Sequence, residues 1–292
     1  MSGKPETHGF PWKDSDLEAF VERAWRMGDE RRREGLPWRF VDDPYAVYVS
    51  EAMLQQTQVA RVIKHWPRWM AAFPTIDALA AADPSEVLAR WQGLGYNRRA
   101  LAMKKTAEIC AQCYSGAMPR SLDELQALPG IGPATAAGIM AFAYRAPSVY
   151  IETNVRAVFI HEFFADAEGT VSDRQLFPLV ERTCSVDDPR GWYYALLDYG
   201  CYLKQSVVNP SRKSAHYSRQ SAFEGSRRQK RAFILREVLG RVNADRDDVK
   251  RTLDEAEAAA GRGEVDDALF DSIVADLAAE GFFRCEGSIF KA

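Results

Sequence analysis

The sequence lacks the features that mark disulfide-rich, membrane-spanning and exported proteins. Its five cysteines among 292 residues are an odd, scattered set and do not predict a disulfide framework. No stretch approaches the roughly 18 apolar residues that a membrane helix needs, and the first residues lack the apolar core of a signal peptide. The net charge of −3 points by itself to no charged partner. We therefore expect a soluble cytoplasmic protein.

Charge is nevertheless unevenly distributed along the chain. Residues 204–231 hold eight basic side chains against one acid, and residues 252–280 hold nine acids against one arginine. A basic stretch in an acidic protein is either a phosphate-binding surface or a solvated connector. The charges alone favour neither interpretation.

Helical patterns follow one another along almost the whole chain, and strand signals are few. Asp42-Asp43-Pro44 and Asp83-Pro84 each combine a capping side chain with a proline at the first helical position. Pro67, inside an amphipathic pattern over 59–73, is expected to kink or divide that helix. Helices are predicted at 45–55, 59–73, 84–91, 97–114, 122–127, 133–144, 153–164, 172–184, 189–204, 227–241, 246–260 and 266–280.

These elements predict an all-α fold with a small domain at the end. We expect an extension and a first helix in 1–35, then a helical domain over 36–225 that ends in an irregular basic loop at 204–225. Three helices and a candidate hairpin that turns at Glu286-Gly287 suggest a winged-helix-like domain over 226–292.

A glycine-rich string between two predicted helices suits the binding of one phosphate. In Leu128-Pro129-Gly130-Ile131-Gly132-Pro133-Ala134-Thr135, the two glycines allow a tight turn and Pro133 begins the next helix. Backbone amides and the positive end of that helix then face an anion. The full string resembles the helix–hairpin–helix of DNA-binding proteins. The resemblance implies DNA contacts at Gly130, Gly132, Ala134 and Thr135.

Two further strings resemble one enzyme superfamily. Ser50-Glu51-Ala52-Met53-Leu54-Gln55-Gln56-Thr57-Gln58-Val59, preceded by Leu36-Pro37-Trp38-Arg39, looks like the catalytic-acid segment of MutY-type adenine DNA glycosylases, and Trp91-Gln92-Gly93-Leu94-Gly95-Tyr96 resembles the same enzymes. The resemblance to this branch of the helix–hairpin–helix (HhH-GPD) superfamily runs from about residue 36 to 204. It implies a two-lobed all-α fold that binds double-stranded DNA containing a mismatch or lesion, flips one nucleotide out and hydrolyses its N-glycosidic bond. The implied protein is a monomeric base excision repair enzyme of the nucleoid, with adenine opposite 8-oxoguanine or guanine as the first candidate substrate.

Two carboxylates are the candidate catalytic residues. Hydrolysis of a purine N-glycosidic bond needs a proton for the departing base and a negative charge beside the cationic sugar. Glu51 matches the family's acid, and its apolar neighbours favour a raised pKa if the carboxyl is buried. Glu152 stands where the family has aspartate, and its extra methylene shifts the carboxylate by about 1.5 Å, which can cost roughly 100-fold in rate. Glu152 is therefore either part of the site or a cap of the helix that follows.

Other positions take their roles from the resemblance. Ala134 stands where bifunctional relatives carry a Schiff-base lysine, so we expect a monofunctional enzyme without lysine-based lyase activity. Gln55 and Gln56 are expected to fill the space left by the flipped base, and Tyr96 either wedges between bases or packs in the core. Asn154, at the helix start after Glu152, is a further expected DNA contact.

The [4Fe–4S] cluster of adenine-type relatives is expected to be absent. Aligning Leu197-Asp198-Tyr199-Gly200 with the family helix puts the four cluster cysteines at Lys204, Ser211, Ser214 and Gln220, none of which ligates iron in that way. We therefore expect no metal and no cofactor. The basic loop occupies the cluster's place, and Arg212, Lys213 and Arg219 are its expected DNA contacts.

Two other functions stay open. An enzyme of the same superfamily could remove a deaminated or modified pyrimidine, such as uracil or thymine opposite guanine. Because pyrimidines lack N7, that reaction would depend less on Glu51. Alternatively, the chain binds DNA structures without catalysis, which Glu152 in the aspartate position supports. The acidic C-terminal domain offers a surface for a protein partner rather than for DNA.

Overall fold

A computed structural model describes residues 11–218 and 222–291. Helices dominate these ranges, and three short strands lie near their C-terminal end. The helices are α1 (Asp14–Glu30), α2 (Pro44–Leu54), α3 (Val59–Ala72), α4 (Ile76–Ala81), α5 (Pro84–Trp91), α6 (Arg98–Cys113), α7 (Leu122–Gln126), α8 (Pro133–Phe142), α9 (Thr153–Phe163), α10 (Asp173–Thr183), α11 (Pro189–Ser206), α12 (Arg227–Leu239), α13 (Arg246–Ala259) and α14 (Asp267–Ala279). The strands are β1 (Ala244–Asp245), β2 (Arg284–Glu286) and β3 (Ile289–Lys291). Within the described ranges, no helix is long and apolar enough to cross a membrane.

Capping side chains begin the helices where the sequence predicted them. Asp83 accepts a hydrogen bond from the Ser85 amide at 2.8 Å, and Asp43 accepts one from the Ala46 amide at 3.1 Å. These carboxylates satisfy amides that have no partner in the first turn of a helix. Of the two expected effects of Pro67, division of the helix is not observed, because α3 continues through it, and a kink stays a prediction. The carbonyl that loses its helical hydrogen bond belongs to Ile63, which is exposed, so water can bind it.

Two short elements escaped the sequence analysis. α4 has six residues, and the Thr75 side chain caps it by accepting a hydrogen bond from the Ala78 amide at 3.1 Å. β1 has two residues and pairs with β3. Neither is long enough to show a periodic pattern of apolar residues.

The contacts divide the chain into two compact units that do not follow chain order. The first unit comprises the described residues of Met1–Tyr48, Arg120–Gln126 and Ile131–Ser218. The second comprises those of Val49–Pro119, Ala127–Gly130 and Arg219–Ala292. The C-terminal residues thus group with the helices that follow α2. The domain boundaries predicted at 36 and 226 stay a prediction.

The core of the first unit lies between α1, α9 and α11. The Phe20 ring centroid is 5.0 Å from that of Phe159 and 6.0 Å from that of Trp192, and all three side chains are fully buried. α9 and α11 approach closely at Gly200, where a Cβ atom would lie 2.3 Å from the Asn154 carbonyl oxygen. Only glycine permits this approach of the two helices.

A buried carboxylate ties the segment before α2 to α11. Asp198 is 2% exposed and accepts hydrogen bonds from both terminal nitrogens of Arg39 at 2.8 Å. Arg33 donates a further hydrogen bond through Nε at 2.5 Å. Two arginines on one buried carboxylate make a strong, geometrically specific link.

The core of the second unit is built around α3, α5 and α6. The rings of Trp69 and Trp91 meet edge to face with centroids 5.4 Å apart, and both are fully buried. The C-terminal segment, defined here as residues 226–291, joins this unit through a contact between α12 and α5.

The C-terminal segment contains the three helices and the hairpin that the sequence predicted. β3 lies between β1 and β2 in an antiparallel sheet. The hairpin turns at Gly287-Ser288, one residue later than predicted, because Glu286 still pairs with Ile289. Gly287 has a φ of 62°, in the left-handed region that glycine tolerates best. The winged-helix-like assignment stays an interpretation of this element order.

Candidate active site

Glu51 lies in the last turn of α2, close to the point where the helix ends at Leu54. Its neighbours Val49, Ala52 and Met53 are buried, and Glu51 itself is half-buried. These neighbours belong to the core, whereas Glu51 is partly accessible, and an apolar environment of its carboxyl stays a prediction. Partial exposure is what a group that transfers a proton to a substrate needs.

Arg99, near the start of α6, links two segments that carry candidate DNA contacts. Its Nη1 donates hydrogen bonds, at 2.7, 3.1 and 2.6 Å, to the carbonyl oxygens of Ala52, Met53 and Gln55. Its Nη2 donates, at 3.1, 3.3 and 2.9 Å, to the Thr57 hydroxyl and to the carbonyl oxygens of Leu94 and Gly95. Burial lowers the pKa of Arg99 to about 10, so the group stays cationic at neutral pH. One rigid guanidinium therefore holds residues 55–57 and the turn at 93–96 at a fixed separation.

Both linked segments contain a residue in the left-handed backbone region. Gln56 has a φ of 52° and Tyr96 a φ of 50°. This conformation costs a non-glycine residue about 1–2 kcal/mol, so surrounding contacts must hold it. Trp91 helps at the second turn, where its Nε1 donates to the Gly95 carbonyl at 3.0 Å. Tyr96 is 41% exposed, so it is not the core aromatic that the sequence left open.

The glycines of the hairpin have two different tasks. Gly130 has a φ of 76°, and a Cβ atom there would lie 2.8 Å from Cβ of Ala102. Glycine is needed at position 130 both for the turn and for the close approach of this turn to α6. The Thr106 hydroxyl of α6 stabilises the same approach by donating a hydrogen bond to the Pro129 carbonyl at 2.9 Å. Gly132 precedes α8, and a Cβ atom on it would meet nothing within 4 Å. The space beside Gly132 at the start of α8 is therefore open to a ligand.

The two residues after Pro133 are less accessible than expected for DNA contacts. Ala134 is half-buried, and Thr135 is buried with 6% exposure. Their side chains offer little surface, so a DNA contact at this helix start would rest on backbone amides. The assignment of both residues as DNA-binding stays a prediction.

Glu152 caps α9. Its Oε1 accepts hydrogen bonds from the amides of Asn154 and Val155 at 2.5 and 3.0 Å. The Glu152 side chain is half-buried. The pKa of the nearby Arg156 is raised above its usual value, mainly by the hydrogen bond from its guanidinium to Asp173 and to a lesser degree by the negative charge of Glu152. The capping role is therefore realised. The Oδ1 atom of Asn154 is buried and accepts no hydrogen bond from the described residues.

The basic loop after α11 is more ordered than its composition suggested. Residues Pro210–Lys213 form a 3-10 turn, and Lys213 and Val171 are joined by a backbone hydrogen bond of 2.7 Å. The Lys213 ammonium donates to the Ala165 carbonyl and, at 3.1 Å, to that of Ala167. Lys213 thus holds the loop against its own unit. Arg212 is exposed and stays a predicted DNA contact, whereas Arg219 lies outside the described residues.

The residues at the family's cluster positions do not fit an iron–sulfur cluster. Ser211 and Ser214 are buried, and the Ser211 hydroxyl donates to Oδ1 of Asn209 at 2.6 Å. Lys204 is half-buried and Gln220 lies outside the described residues. Hydroxyls and an ammonium do not replace thiolates as iron ligands. Where the structure describes the chain, no three His, Cys, Asp or Glu side chains gather as metal ligands would, and the absence of a cofactor stays a prediction.

The candidate residues are divided between the two units. The second unit contains Glu51, Gln55, Gln56, Tyr96 and Gly130. The first unit contains Gly132, Ala134, Thr135, Glu152, Asn154, Arg212 and Lys213.

A family model described as "HhH-GPD superfamily base excision DNA repair protein" matches residues 49–188. This span includes Glu51, the turn at 93–96, the hairpin and Glu152. Residues 49–188 are therefore similar to the HhH-GPD superfamily. This HhH-GPD segment begins inside α2 and ends just before α11.

Relatives with similar sequences are adenine DNA glycosylases. The enzyme of Mycolicibacterium smegmatis is 43% identical over 149 residues, which are 51% of this chain and 50% of that protein. That of Buchnera aphidicola subsp. Baizongia pistaciae is 34% identical over 171 residues, 59% of this chain and 49% of that protein. The human enzyme is 35% identical over 209 residues, 68% of this chain and 37% of that protein. The chain thus spans about half the length, or less, of the curated relatives it matches.

Solved structures share the fold of the HhH-GPD segment. A thermostable thymine-DNA glycosylase superposes with a TM-score of 0.61 at 21% identity, covering 69% of this chain and 94% of that one. A non-covalent endonuclease III–DNA complex gives a TM-score of 0.55 at 18% identity, covering 71% and 91%. The predicted all-α glycosylase fold is confirmed.

Arg99 is the residue of the HhH-GPD segment that sequence analysis missed. Its position at the start of a helix suggests a solvated side chain, and most of its partners are main-chain carbonyls, which leave no trace in a sequence. The one available signal was its place three residues after Tyr96.

Proposed function

We propose that this chain is a DNA glycosylase that excises adenine from a mispair with 8-oxoguanine or guanine. Its proposed partner is duplex DNA containing that mispair, and its proposed active form is a monomer. The observation that carries the proposal is the arrangement around Glu51. Arg99 binds the end of α2, which contains Glu51, and also binds residues 55–57 and the turn at 93–96, the two segments that contain candidate DNA contacts. Relatives with similar sequences are adenine DNA glycosylases.

In the proposed reaction, Glu51 is the acid. Its protonated carboxyl gives a proton to N7 of the flipped adenine, and the electron pair of the C1′–N9 bond leaves with the base. Water then adds to C1′ of the cationic sugar and loses a proton, so that free adenine and an abasic site are the products. Glu51 is half-buried, so its carboxyl group is accessible to a bound base.

Glu152 is the proposed stabiliser of the cationic sugar. Its Oε1 is held by two amides of α9, which fixes the carboxylate in direction without neutralising it. A fixed negative charge near C1′ stabilises the transition state more than the neutral substrate, and this difference accelerates the reaction.

Strand cleavage through a lysine Schiff base is not part of the proposed activity. The position in the hairpin helix where bifunctional relatives carry that lysine is Ala134. A methyl group cannot form an imine with the sugar. We therefore propose a monofunctional enzyme, whose abasic product is cleaved only by added alkali.

Binding of DNA without catalysis is the second candidate. Glu152 supports it, because the side chain is longer than the family's aspartate and part of it is engaged in capping. The two candidates differ in one observable, the release of a base.

Single-turnover assays on a panel of duplexes test the proposal. The panel sets adenine opposite 8-oxoguanine or guanine beside uracil, thymine and oxidised pyrimidines opposite guanine, with alkali added afterwards. Glu51→Gln is compared with Glu86→Gln, an exposed glutamate of α5 in the same unit.

We expect alkali-dependent cleavage at adenine that disappears in Glu51→Gln and persists in Glu86→Gln. If the enzyme instead cleaves at a pyrimidine, and Glu51→Gln retains this activity, the substrate is a pyrimidine and not adenine. Tight binding with no product on any duplex would support the second candidate, a protein that binds DNA without catalysis.

A further inference from the structure

The charge asymmetry of the C-terminal part is largely cancelled inside the C-terminal segment. The basic helix α12 packs against α13 and α14, which carry the acids. Three cations of α12 are bound by these acids, in the pairs Arg227–Asp276 at 2.6 Å, Lys230–Glu257 at 2.8 Å and Arg231–Glu280 at 2.7 Å. Most of the basic charge of this helix is therefore used within the segment and does not form a DNA-binding stripe.

Arg228 makes a different kind of contact. Its Nη1 lies 3.5 Å from the Tyr96 hydroxyl, 132 residues away along the chain, and donates a long hydrogen bond to it. Its guanidinium also lies 5.5 Å from the centre of the Phe223 ring. Arg228 is half-buried and is carried by α12 to the exposed side chain of the turn at 93–96.

An ion chain holds the C-terminal segment at this turn. Arg98, two residues after Tyr96, binds Glu280 at 2.7 Å, and the other oxygen of Glu280 binds Arg231 at 2.7 Å. The Glu280 side chain is 12% exposed, whereas that of Arg98 is 74% exposed. Burial raises the pKa of Glu280, but the hydrogen bonds and charges of Arg98 and Arg231 together hold this pKa below its usual value. Arg228 is thereby kept beside Tyr96.

The turn at 93–96 is consequently surrounded by arginines from three helices. Arg61 of α3 donates to the Gly93 carbonyl at 3.1 Å, Arg98 begins α6, and Arg228 belongs to α12. An exposed aromatic side chain among arginines is the usual composition of a nucleic-acid surface, in which the ring stacks on bases and the cations bind phosphates.

We propose that the C-terminal segment is part of the DNA interface, and that Arg228 binds a backbone phosphate where the surface around Tyr96 contacts the duplex. The proposal rests on the proposed function in one respect, the contact of this surface with DNA. Arg228 lies beside Tyr96, so a phosphate that approaches this surface is its proposed ligand. The segment that looked too acidic to meet DNA contributes one positive charge at the place where DNA is contacted.

The salt dependence of DNA binding tests this assignment. Each phosphate contact contributes about −0.9 to the slope of log K against log salt. Binding of the full chain to an undamaged duplex is measured by fluorescence anisotropy between 50 and 200 mM KCl, for wild type, Arg228→Gln, Arg228→Lys and Arg227→Gln. Arg227 is the matched control, because it neighbours Arg228 on α12 and its charge is bound by Asp276.

For Arg228→Gln we expect a slope that is less steep by about 1, so that its loss of affinity is about 3.5-fold larger at 50 mM than at 200 mM salt. Arg228→Lys should keep the wild-type slope, and so should Arg227→Gln. An unchanged slope for Arg228→Gln, a reduced slope for Arg228→Lys, or equal losses in both glutamine variants would each overturn the proposal. Because the readout is binding to undamaged DNA, it is independent of whether any base is excised.

Discussion

Replacing Glu152 by glutamine removes a negative charge and keeps the shape of a helix cap. In the structure, Oε1 accepts two hydrogen bonds from the amides of Asn154 and Val155, and the amide oxygen of a glutamine can accept the same two. The lost part is the interaction of the charge with the positive end of α9, about 0.3–1 kcal/mol. Glu152→Ala removes both hydrogen bonds and should cost about 1 kcal/mol, within a range of 0.5–2.

The expected effect on catalysis is several times larger. A carboxylate about 4 Å from a unit positive charge contributes about 4 kcal/mol at an effective dielectric constant of about 20. Since each 1.36 kcal/mol is about tenfold in rate, the loss of this charge should slow base release by about 1,000-fold. Glu152→Gln and Glu152→Ala should therefore be similarly slow but differ in stability.

Single-turnover base release and urea unfolding, measured on the same preparations, separate the two roles. Asp188→Asn is the matched control, because Asp188 caps α11 in the same unit by accepting from the Gly191 amide at 2.8 Å. It should change stability as little as Glu152→Gln and leave the rate intact. A rate for Glu152→Gln within about tenfold of wild type would refute the electrostatic role and leave Glu152 as a cap alone.

Three further predictions concern single residues. Arg99→Lys should lower the free energy of unfolding by about 2–3 kcal/mol and also slow base release, because one ammonium cannot bind both residues 55–57 and the turn at 93–96. A urea midpoint within error of wild type would contradict this. Asp198→Asn should cost about 3–5 kcal/mol by leaving two arginine side chains without their carboxylate, seen as a lower urea midpoint. Glu257 has its pKa lowered from 4.5 to about 2, chiefly by its hydrogen bond from Arg262 and, against the effect of burial, by Lys230. Its contribution to stability should be complete above about pH 4.5 and lost as the pH falls towards 2, so the stability difference between wild type and Glu257→Gln should shrink over that interval; a difference independent of pH would contradict it.

Much of the fold could be predicted because helix boundaries depend on neighbouring residues. The Asp83-Pro84 start of α5 and the turn at Gly287 are set by capping and by backbone conformations that are available within a few residues. The helix is not divided at Pro67 for a tertiary reason. Buried side chains on either side, Val62 and Trp69, hold α3 in the core, and this outweighs one missing hydrogen bond.

The candidate site could be predicted only in part. Glu51, the turn with Tyr96 and the hairpin glycines carry recognisable local strings, so their chemistry was readable. Lys213 could be identified as a cation, but its binding to main-chain carbonyls depends on how the loop folds back. In the same way, nothing local separates Arg228 from Arg227 on α12.

The helical class, the approximate positions of the turns and the residue types available for chemistry could be read from the amino-acid sequence. These properties arise from interactions over a few residues, such as capping and backbone preference. Which charges pair internally, and which side chains meet across long stretches of chain, became known from the packing of the helices. Arg99 reaches the end of α2 from 44 to 47 residues away, and Arg228 reaches Tyr96 from 132 residues away. Such contacts depend on how helices pack, and packing is a property of the whole folded unit rather than of any segment.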